Sequence, residues 1–264
     1  MSRHIALPSA PHARDGWIVF YFVLGAVIGA LWATIQFAPA NWLSQPLHDY
    51  SGGHILLEDC AGTMWDGSAI VVLRGGAASR DHARLPGRLH WRVTLHLDAV
   101  DLALRADCCN AQAQRVQFSP LADGWRATLL PSEFSWPLDI LEGLGTPWNT
   151  LHLRGTLRFS SPGISLSSRS RVLALTGSMA LRATQLRSPL SGVDPFGSYG
   201  IDLQGGPVPT LQIQTLEGPL KLSGQGHWSD AKMHIFMHTD SSFLAEVLRF
   251  FGLLNGVFNF AMPT

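Results

Sequence analysis

The chain has 264 residues and no net charge, because its 19 lysines and arginines balance its 19 aspartates and glutamates. Proteins that bind DNA or RNA normally carry surplus positive charge, so nucleic acid is not expected as a partner. Only 14% of the residues are charged and 46% are hydrophobic, whereas about a quarter of an average soluble domain is charged. This composition excludes a disordered chain and indicates that part of the apolar surface faces lipid.

The first predicted element is a transmembrane helix over residues 16–37, a stretch without any charged side chain. As a helix it would span roughly 33 Å, enough to cross a hydrocarbon core of about 30 Å. A cleavable signal peptide is the alternative, because Ala38-Pro39-Ala40 resembles a processing site. The apolar region of a signal peptide is shorter, however, at about 7–15 residues. We therefore predict an uncleaved anchor after a short tail over residues 1–15.

Charges on either side of the helix predict its orientation. Arg3 and Arg14 precede residues 16–37, and the first arginine after them is Arg74. Positive residues are retained on the cytoplasmic side of a membrane. The tail is therefore predicted to be cytoplasmic. Residues 38–264 are predicted to lie on the opposite side of the membrane, which in a bacterium is the periplasm.

Small residues within the predicted helix offer one packing surface. Gly25 and Gly29 form a G-x-x-x-G pattern, which lets a second helix approach closely. Small residues are common in membrane helices in any case. Helix packing is thus one interpretation of the pattern and ordinary composition is the other.

The three cysteines are compatible with export. Cys108 and Cys109 are adjacent, so they cannot both bridge Cys60. One disulfide from Cys60 to either neighbour can form in an oxidising compartment, and three buried thiols are the alternative. No metal site is predicted, because none of the eleven histidines completes a ligand set at recognisable spacing.

Residues after the predicted anchor are mainly β in pattern. Between residues 89 and 97 apolar side chains alternate with polar ones, which is typical of a strand with one buried face. Similar runs, separated by Gly, Pro, Ser and Asn, cover residues 100–104, 125–129, 151–159, 172–183, 211–215, 220–228 and 233–238. Trp91 and Trp125 are predicted to fill the core. The spacing indicates meanders, either in two packed sheets or in one open curved sheet.

Two short helices are predicted among the strands. Residues 137–144 form one, and residues 243–254 form the other, which a serine at 241 or 242 can cap and whose apolar residues follow the helical period. Residues 187–200 contain two prolines and several glycines, so they are predicted to be an internal loop. No domain boundary is expected within residues 38–264.

The sequence lacks the common motifs of catalytic and cofactor sites. It contains no G-x-S-x-G nucleophile elbow, no phosphate-binding G-x-x-x-x-G-K-[ST] and no H-E-x-x-H metal pair. The neighbouring acids Glu58 and Asp59 are predicted to be solvated side chains in a turn. Neither an enzymatic activity nor a cofactor is therefore predicted.

Residues 62–69 carry the most informative motif, Gly62-Thr63-Met64-Trp65-Asp66-Gly67-Ser68-Ala69. It resembles the G-T-[aliphatic]-W-x-G-x-A segment of the type II secretion system protein N family, which follows a single N-terminal membrane helix. The overall length, the anchor, the strand around residues 153–157 and the apolar helix near the C-terminus also match, so the resemblance covers essentially the whole chain. Met64 stands where leucine is more usual, and the three cysteines are not typical of the family.

The resemblance implies a non-enzymatic accessory component of the inner-membrane assembly of that secretion system. Its partners would be other subunits of the assembly, and no cofactor is implied. The implied fold is mainly β, with a single N-terminal transmembrane helix before a periplasmic domain of two packed antiparallel β-sheets and a short C-terminal helix.

Physical reasoning on the motif indicates a structural role. Gly62 and Gly67 permit tight backbone geometry where a strand begins. Thr63 can bond to nearby backbone in a turn, and Trp65 is expected to be a large buried anchor. The motif, including Ala69, is therefore predicted to stabilise the fold and not to contact a partner.

A second interpretation belongs to another functional class. Periplasmic proteins related to lipid transport also combine an N-terminal anchor with β-sheets and G-T-[aliphatic] strand motifs, and an apolar groove here would hold an acyl chain. Membrane lipid is a predicted partner in both interpretations. A hydrophobic cavity continuous with the bilayer would favour lipid binding, and copurification with other secretion subunits would favour the first interpretation.

Overall fold

The computed structural model describes residues 13–76, 79–110, 112–170, 172–229 and 232–250. The chain forms two compact units, Met1–Ala38 and Pro39–Thr264. The first unit contains α1, Ala13–Gln36, which confirms the predicted N-terminal helix. Within the described residues α1 is the one helix that is long and apolar enough to cross a membrane. Its large side chains are exposed, as Phe22 and Trp32 illustrate, which suits a helix surrounded by lipid.

The second unit is mainly β, as predicted. It begins with a 3₁₀ helix over Ala40–Leu43 and with α2, Ser44–Tyr50. The first eight strands are β1 (Ile55–Gly62), β2 (Asp66–Arg74), β3 (His82–Arg84), β4 (Leu89–Leu95), β5 (Val100–Ala106), β6 (Gln114–Leu121), β7 (Gly124–Leu129) and β8 (Ser132–Pro137). A 3₁₀ helix over Leu138–Leu144 and α3 (Trp148–Leu151) follow. The remaining elements are β9 (Arg154–Arg169), β10 (Val172–Arg187), β11 (Gly197–Gln204), β12 (Thr210–Glu217), β13 (Leu222–Ser229), β14 (Lys232–Thr239) and α4 (Ser242–Phe250).

The strands form one antiparallel sheet of 14 strands and not the two packed sheets that we predicted. The order is β1-β2-β4-β5-β6-β7-β9-β10-β11-β12-β13-β14, with β3 paired to β2 and β8 paired to β9. The reason lies in β9 and β10, which are 16 residues each. One part of β9 pairs with β7 and the other part with β8. The hydrogen bonding between strands is therefore continuous through β9 and β10, and the strands do not separate into two sheets.

The two ends of the sheet differ. Strand directions alternate along the order, so the connections of β1 to β2, β4 to β5, β6 to β7, β9 to β10, β11 to β12 and β13 to β14 lie at the same end, which we call the hairpin end. The 3₁₀ helix Leu138–Leu144 and α4 lie at the opposite end. There Leu138, Phe196 and Leu244 form a buried cluster, so α4 closes that end of the core.

A second buried cluster lies near the beginning of the unit, where Ala40, Leu57, Ala69 and Trp91 pack together. Trp91 is 6% exposed, which confirms the predicted core position. Trp125 was predicted to be in the core but is 43% exposed. Its neighbours across the sheet are Pro120 and Ser168, close to the hairpin end, where the described side chains do not enclose an indole.

Several strand boundaries differ from the predicted ones. Residues 197–200, predicted as part of a loop, are buried and begin β11. The β9 strand continues through Pro162 and Gly163, because a register shift opposite Ser178 and Ala180 absorbs the extra residue as a bulge. The part of the predicted C-terminal helix beyond residue 250 lies outside the described residues.

Candidate functional site

Residues 62–69, which we call the motif turn, span the connection of β1 to β2 at the hairpin end. Gly62 ends β1 with a φ of +84°, and a β-carbon there would lie 2.5 Å from the carbonyl oxygen of Asp66. Glycine is therefore required on both conformational and steric grounds. The side chain of Ala69 is completely buried, so the motif turn ends inside the core.

Thr63 holds the turn closed, as the sequence predicts. Its backbone N–H donates to the carbonyl oxygen of Asp66 at 2.8 Å. Its hydroxyl oxygen accepts hydrogen bonds from the N–H groups of Trp65 at 3.3 Å and Asp66 at 3.1 Å. Threonine thus satisfies backbone donors that the tight turn leaves without a strand partner.

The buried indole beneath the motif turn belongs to Trp91 and not to Trp65. Trp65 is half-buried, so the prediction that it is the large buried anchor is wrong. Trp91 lies opposite Gly67 in the pairing of β2 with β4, and its Nε1–H donates to the carbonyl oxygen of Met64 at 3.1 Å. A residue in the turn has fewer neighbours than one in the middle of β4, and the space above Gly67 admits the ring of Trp91.

The motif turn also fastens the segment that leads into the unit. This connector, residues 39–54, begins at Pro39, which forms an isolated antiparallel bridge with Thr63. Ala40 is buried against Trp91, and Leu43 and Leu47 pack against the same cluster. The Ser44 hydroxyl donates to the carbonyl oxygen of Leu57 at 3.2 Å. The motif turn therefore joins the connector to the edge of the sheet.

On the other face of the sheet, Arg88 clamps a bulge in β1. The register of β1 on β2 shifts between Glu58 and Ala61, and Asp59 has a φ of 49°. The guanidinium donates at 2.5 Å to the Asp59 carboxylate and at 2.5 Å to its carbonyl oxygen. It also donates to the Ser68 hydroxyl at 3.2 Å. Arg88 thereby holds the bulge against β2 beside the motif turn.

Further ion pairs cover this polar face. They are Arg84–Glu58 at 2.7 Å, Arg92–Asp66 at 2.8 Å, His90–Asp107 at 3.1 Å and Arg105–Asp107 at 3.5 Å. The hydrogen bond from His90 lowers the pKa of Asp107 below its ordinary value. Glu58 and Asp59 lie within β1, so their predicted location in a turn is wrong. Sequence reasoning missed the pairs Arg84–Glu58, Arg92–Asp66 and His90–Asp107 because each joins residues far apart in the chain. It also missed Arg105–Asp107, whose residues are two positions apart.

The cysteines pair differently from the prediction. The structure has a disulfide between the adjacent residues Cys108 and Cys109, whereas Cys60 is free and half-buried. The physical reason is location, since Cys60 packs against the cluster of Trp91 and Cys109 belongs to a separate cluster around Leu85. Burial raises the pKa of the Cys60 thiol, and the nearby Arg88 partly opposes this.

The described residues contain no group of three or more His, Cys, Asp or Glu side chains that could hold a metal ion. Two open clefts lie on the polar face of β9 to β14. One includes Gln212 and a single histidine, His238, and the other includes a single carboxylate, Asp202. Within these described clefts, acid–base or nucleophilic groups do not converge in the way that a catalytic site requires.

The two predicted helix-packing glycines have open surroundings. A β-carbon on Gly25 or Gly29 would meet no atom within 4 Å. Close packing of a second helix at this position stays a prediction.

Comparison with protein-family models places most of the chain in a known family. A family model described as "Type II secretion system (T2SS), protein N" matches residues 54–254, which include the motif turn and every strand. Searches of curated proteins and of solved structures find no match.

Proposed function

The chain belongs to the type II secretion system protein N family, which makes it an accessory component of type II secretion, and we propose that it acts without catalysis, by contacts with other subunits of the inner-membrane assembly. The single observation that carries this proposal is the family match over residues 54–254. In the proposed arrangement α1 anchors the chain in the inner membrane with its N-terminus in the cytoplasm, because Arg3 and Arg14 precede it. The β unit then lies in the periplasm.

The chemistry of the polar face supports a role without catalysis. The carboxylates of Glu58, Asp59 and Asp66 each bind an arginine. In each pair the carboxylate is engaged in a contact that joins neighbouring strands. These groups orient strands, which is what a rigid docking unit needs.

A secretion assay tests the proposal. In the bacterium that carries this chain, deletion of its gene should retain type II substrates in the periplasm, and the full chain supplied in trans should restore their release. A variant in which a cleavable signal peptide replaces residues 1–37 should restore release poorly, because the β unit would no longer be held at the membrane. Normal release after deletion would contradict the proposal.

A second candidate, binding of an acyl chain, is favoured by one observation. The residues of β10 that point to one face, Leu173, Leu175, Met179 and Leu181, are all apolar and half-buried. Their cross-strand neighbours include Leu166, Ile201 and Leu203, so the apolar face continues over several strands. Stoichiometric lipid in the chain purified in mild detergent, found by mass spectrometry, would favour this candidate. Its absence, together with copurified secretion subunits, would favour the first.

A further inference from the structure

The tip of the β4–β5 hairpin exposes two leucines. The apolar alternation over residues 89–97 predicts that Leu95 and Leu97 point inward, as Trp91 and Val93 do. In the structure β4 ends at Leu95, and Leu95 is 62% exposed and Leu97 109% exposed. A leucine exposed to this degree is unfavourable in water, because its apolar surface gains free energy when it leaves water.

This tip projects beyond the motif turn. The backbone N–H of Val93 donates to the carbonyl oxygen of Trp65 at 2.6 Å, so Val93 lies level with the motif turn. Leu95 is two residues further along β4, which corresponds to about 7 Å at the rise of a strand. The turn with Leu97 follows beyond that. The two leucines therefore lie beyond the motif turn at the hairpin end.

The path of the chain indicates what this corner faces. The apolar stretch of α1 ends at Gln36, and Pro39, three residues later, already bridges Thr63 at the hairpin end. Three residues reach at most about 11 Å. From Pro39 the connector runs the other way, along β1, to Ile55 at the opposite end, where Ile55 pairs with Leu73. The chain thus enters the unit at the hairpin end, and the unit extends away from that point.

We propose that the β4–β5 tip docks on the lipid surface and inserts Leu95 and Leu97 among the acyl chains. The bilayer is the binding partner because the chain enters the β unit at Pro39, three residues after the apolar helix ends. Pro39 bridges the motif turn, which is hydrogen-bonded to the hairpin that carries the tip. The inference rests on the membrane anchor and not on the role in secretion. Residues 95–101 contain Asp98 and Asp101 but no lysine or arginine, so the leucines, and not an attraction between opposite charges, would hold the tip on the lipid.

Photocrosslinking of the full chain tests this inference. The purified protein is reconstituted into vesicles of phosphatidylethanolamine and phosphatidylglycerol, with p-benzoylphenylalanine at position 97. The matched control carries the same label at position 190, since Leu190 is also well exposed, at 56%, but follows β10 at the opposite end. Neither label displaces a buried side chain, and circular dichroism confirms that both variants keep the strand content of the unmodified chain.

After irradiation, mass spectrometry should find lipid adducts at position 97 and only background at position 190, and the yield at position 97 should not fall at high salt. Equal lipid adducts at the two positions would overturn the inference, as would no adduct at 97. An adduct joining position 97 to a second copy of the chain would also overturn it, because the tip would then be an interface between copies. None of these outcomes bears on the secretion assay, so the two proposals fail separately.

Discussion

Substitution of Gly67 by alanine tests whether the motif turn is a packing device. A β-carbon at position 67 would lie 2.6 Å from Cζ2 of Trp91, 2.6 Å from the carbonyl oxygen of Thr63 and 2.9 Å from that of Ala61. Two of these three atoms are backbone oxygens, one in the motif turn and one in β1, so a side-chain rotation cannot relieve the clash. Either the turn opens or Trp91 moves from its place in the core.

The expected cost follows from overpacking in other cores, which destabilises by about 1–3 kcal/mol. We expect the upper part of this range for Gly67→Ala, because backbone must shift. For a unit of this size a loss of about 3 kcal/mol lowers the midpoint of thermal unfolding by roughly 6–12 °C. Intrinsic tryptophan fluorescence of the full chain in detergent, heated at one scan rate, measures the shift.

Gly192→Ala is the matched control. A β-carbon at position 192 would meet no atom within 4 Å, so this variant should unfold within about 0.5 kcal/mol of the unmodified chain, or be slightly stabilised by reduced freedom of the unfolded state. If Gly67→Ala unfolds at the same temperature as Gly192→Ala, the motif turn does not pack as described and its glycine needs another explanation.

Two further predictions concern aromatic side chains. Trp91→Ala should lower the free energy of unfolding by about 3–5 kcal/mol and half-buried Trp65→Ala by only roughly 1–2 kcal/mol, as urea titration would show; the reverse order would restore Trp65 as the main anchor. Burial raises the pKa of Tyr199 from its ordinary 10.0 to about 12, so the unfolded chain releases this proton first as pH rises. This shift therefore contributes fully to the free energy of unfolding below pH 10.0, and the contribution is lost as pH rises to about 12. The loss amounts to at most roughly 2–3 kcal/mol. The free energy of unfolding of Tyr199→Phe should fall less over this pH interval. An equal fall in the variant and the unmodified chain would show that Tyr199 is not its cause.

The sequence predicts strands best where one face is buried throughout. β4 and β5 were predicted because apolar and polar residues alternate along them. β11 was missed because Gly197 and Gly200 lie in a stretch that also contains two prolines, although residues 197–200 are buried in the structure. Glycine and proline mark turns on local grounds, whereas the pairing of β11 with β10 is a property of the folded sheet.

The site shows the same division between local and long-range information. The hydroxyl of Thr63 bonds within the turn, so its role is visible in the motif. The motif does not reveal that Trp91, and not Trp65, is the buried indole, because this depends on which residue of β4 lies opposite Gly67. The Arg88–Asp59 clamp joins residues 29 positions apart, and many other arginine–carboxylate combinations are compatible with the sequence. Whether the strands form one sheet or two likewise depends on the lengths of β9 and β10.

Copurification measures directly whether the chain binds other inner-membrane subunits of the type II secretion system. The full chain, carrying an affinity tag at its C-terminus, is extracted from native membranes in mild detergent, and the proteins bound to it are quantified by mass spectrometry. Inner-membrane subunits of the type II secretion system should be recovered in constant proportion to the chain through a second purification step. Recovery of the chain without those subunits, from membranes in which they are present, would contradict the proposed function.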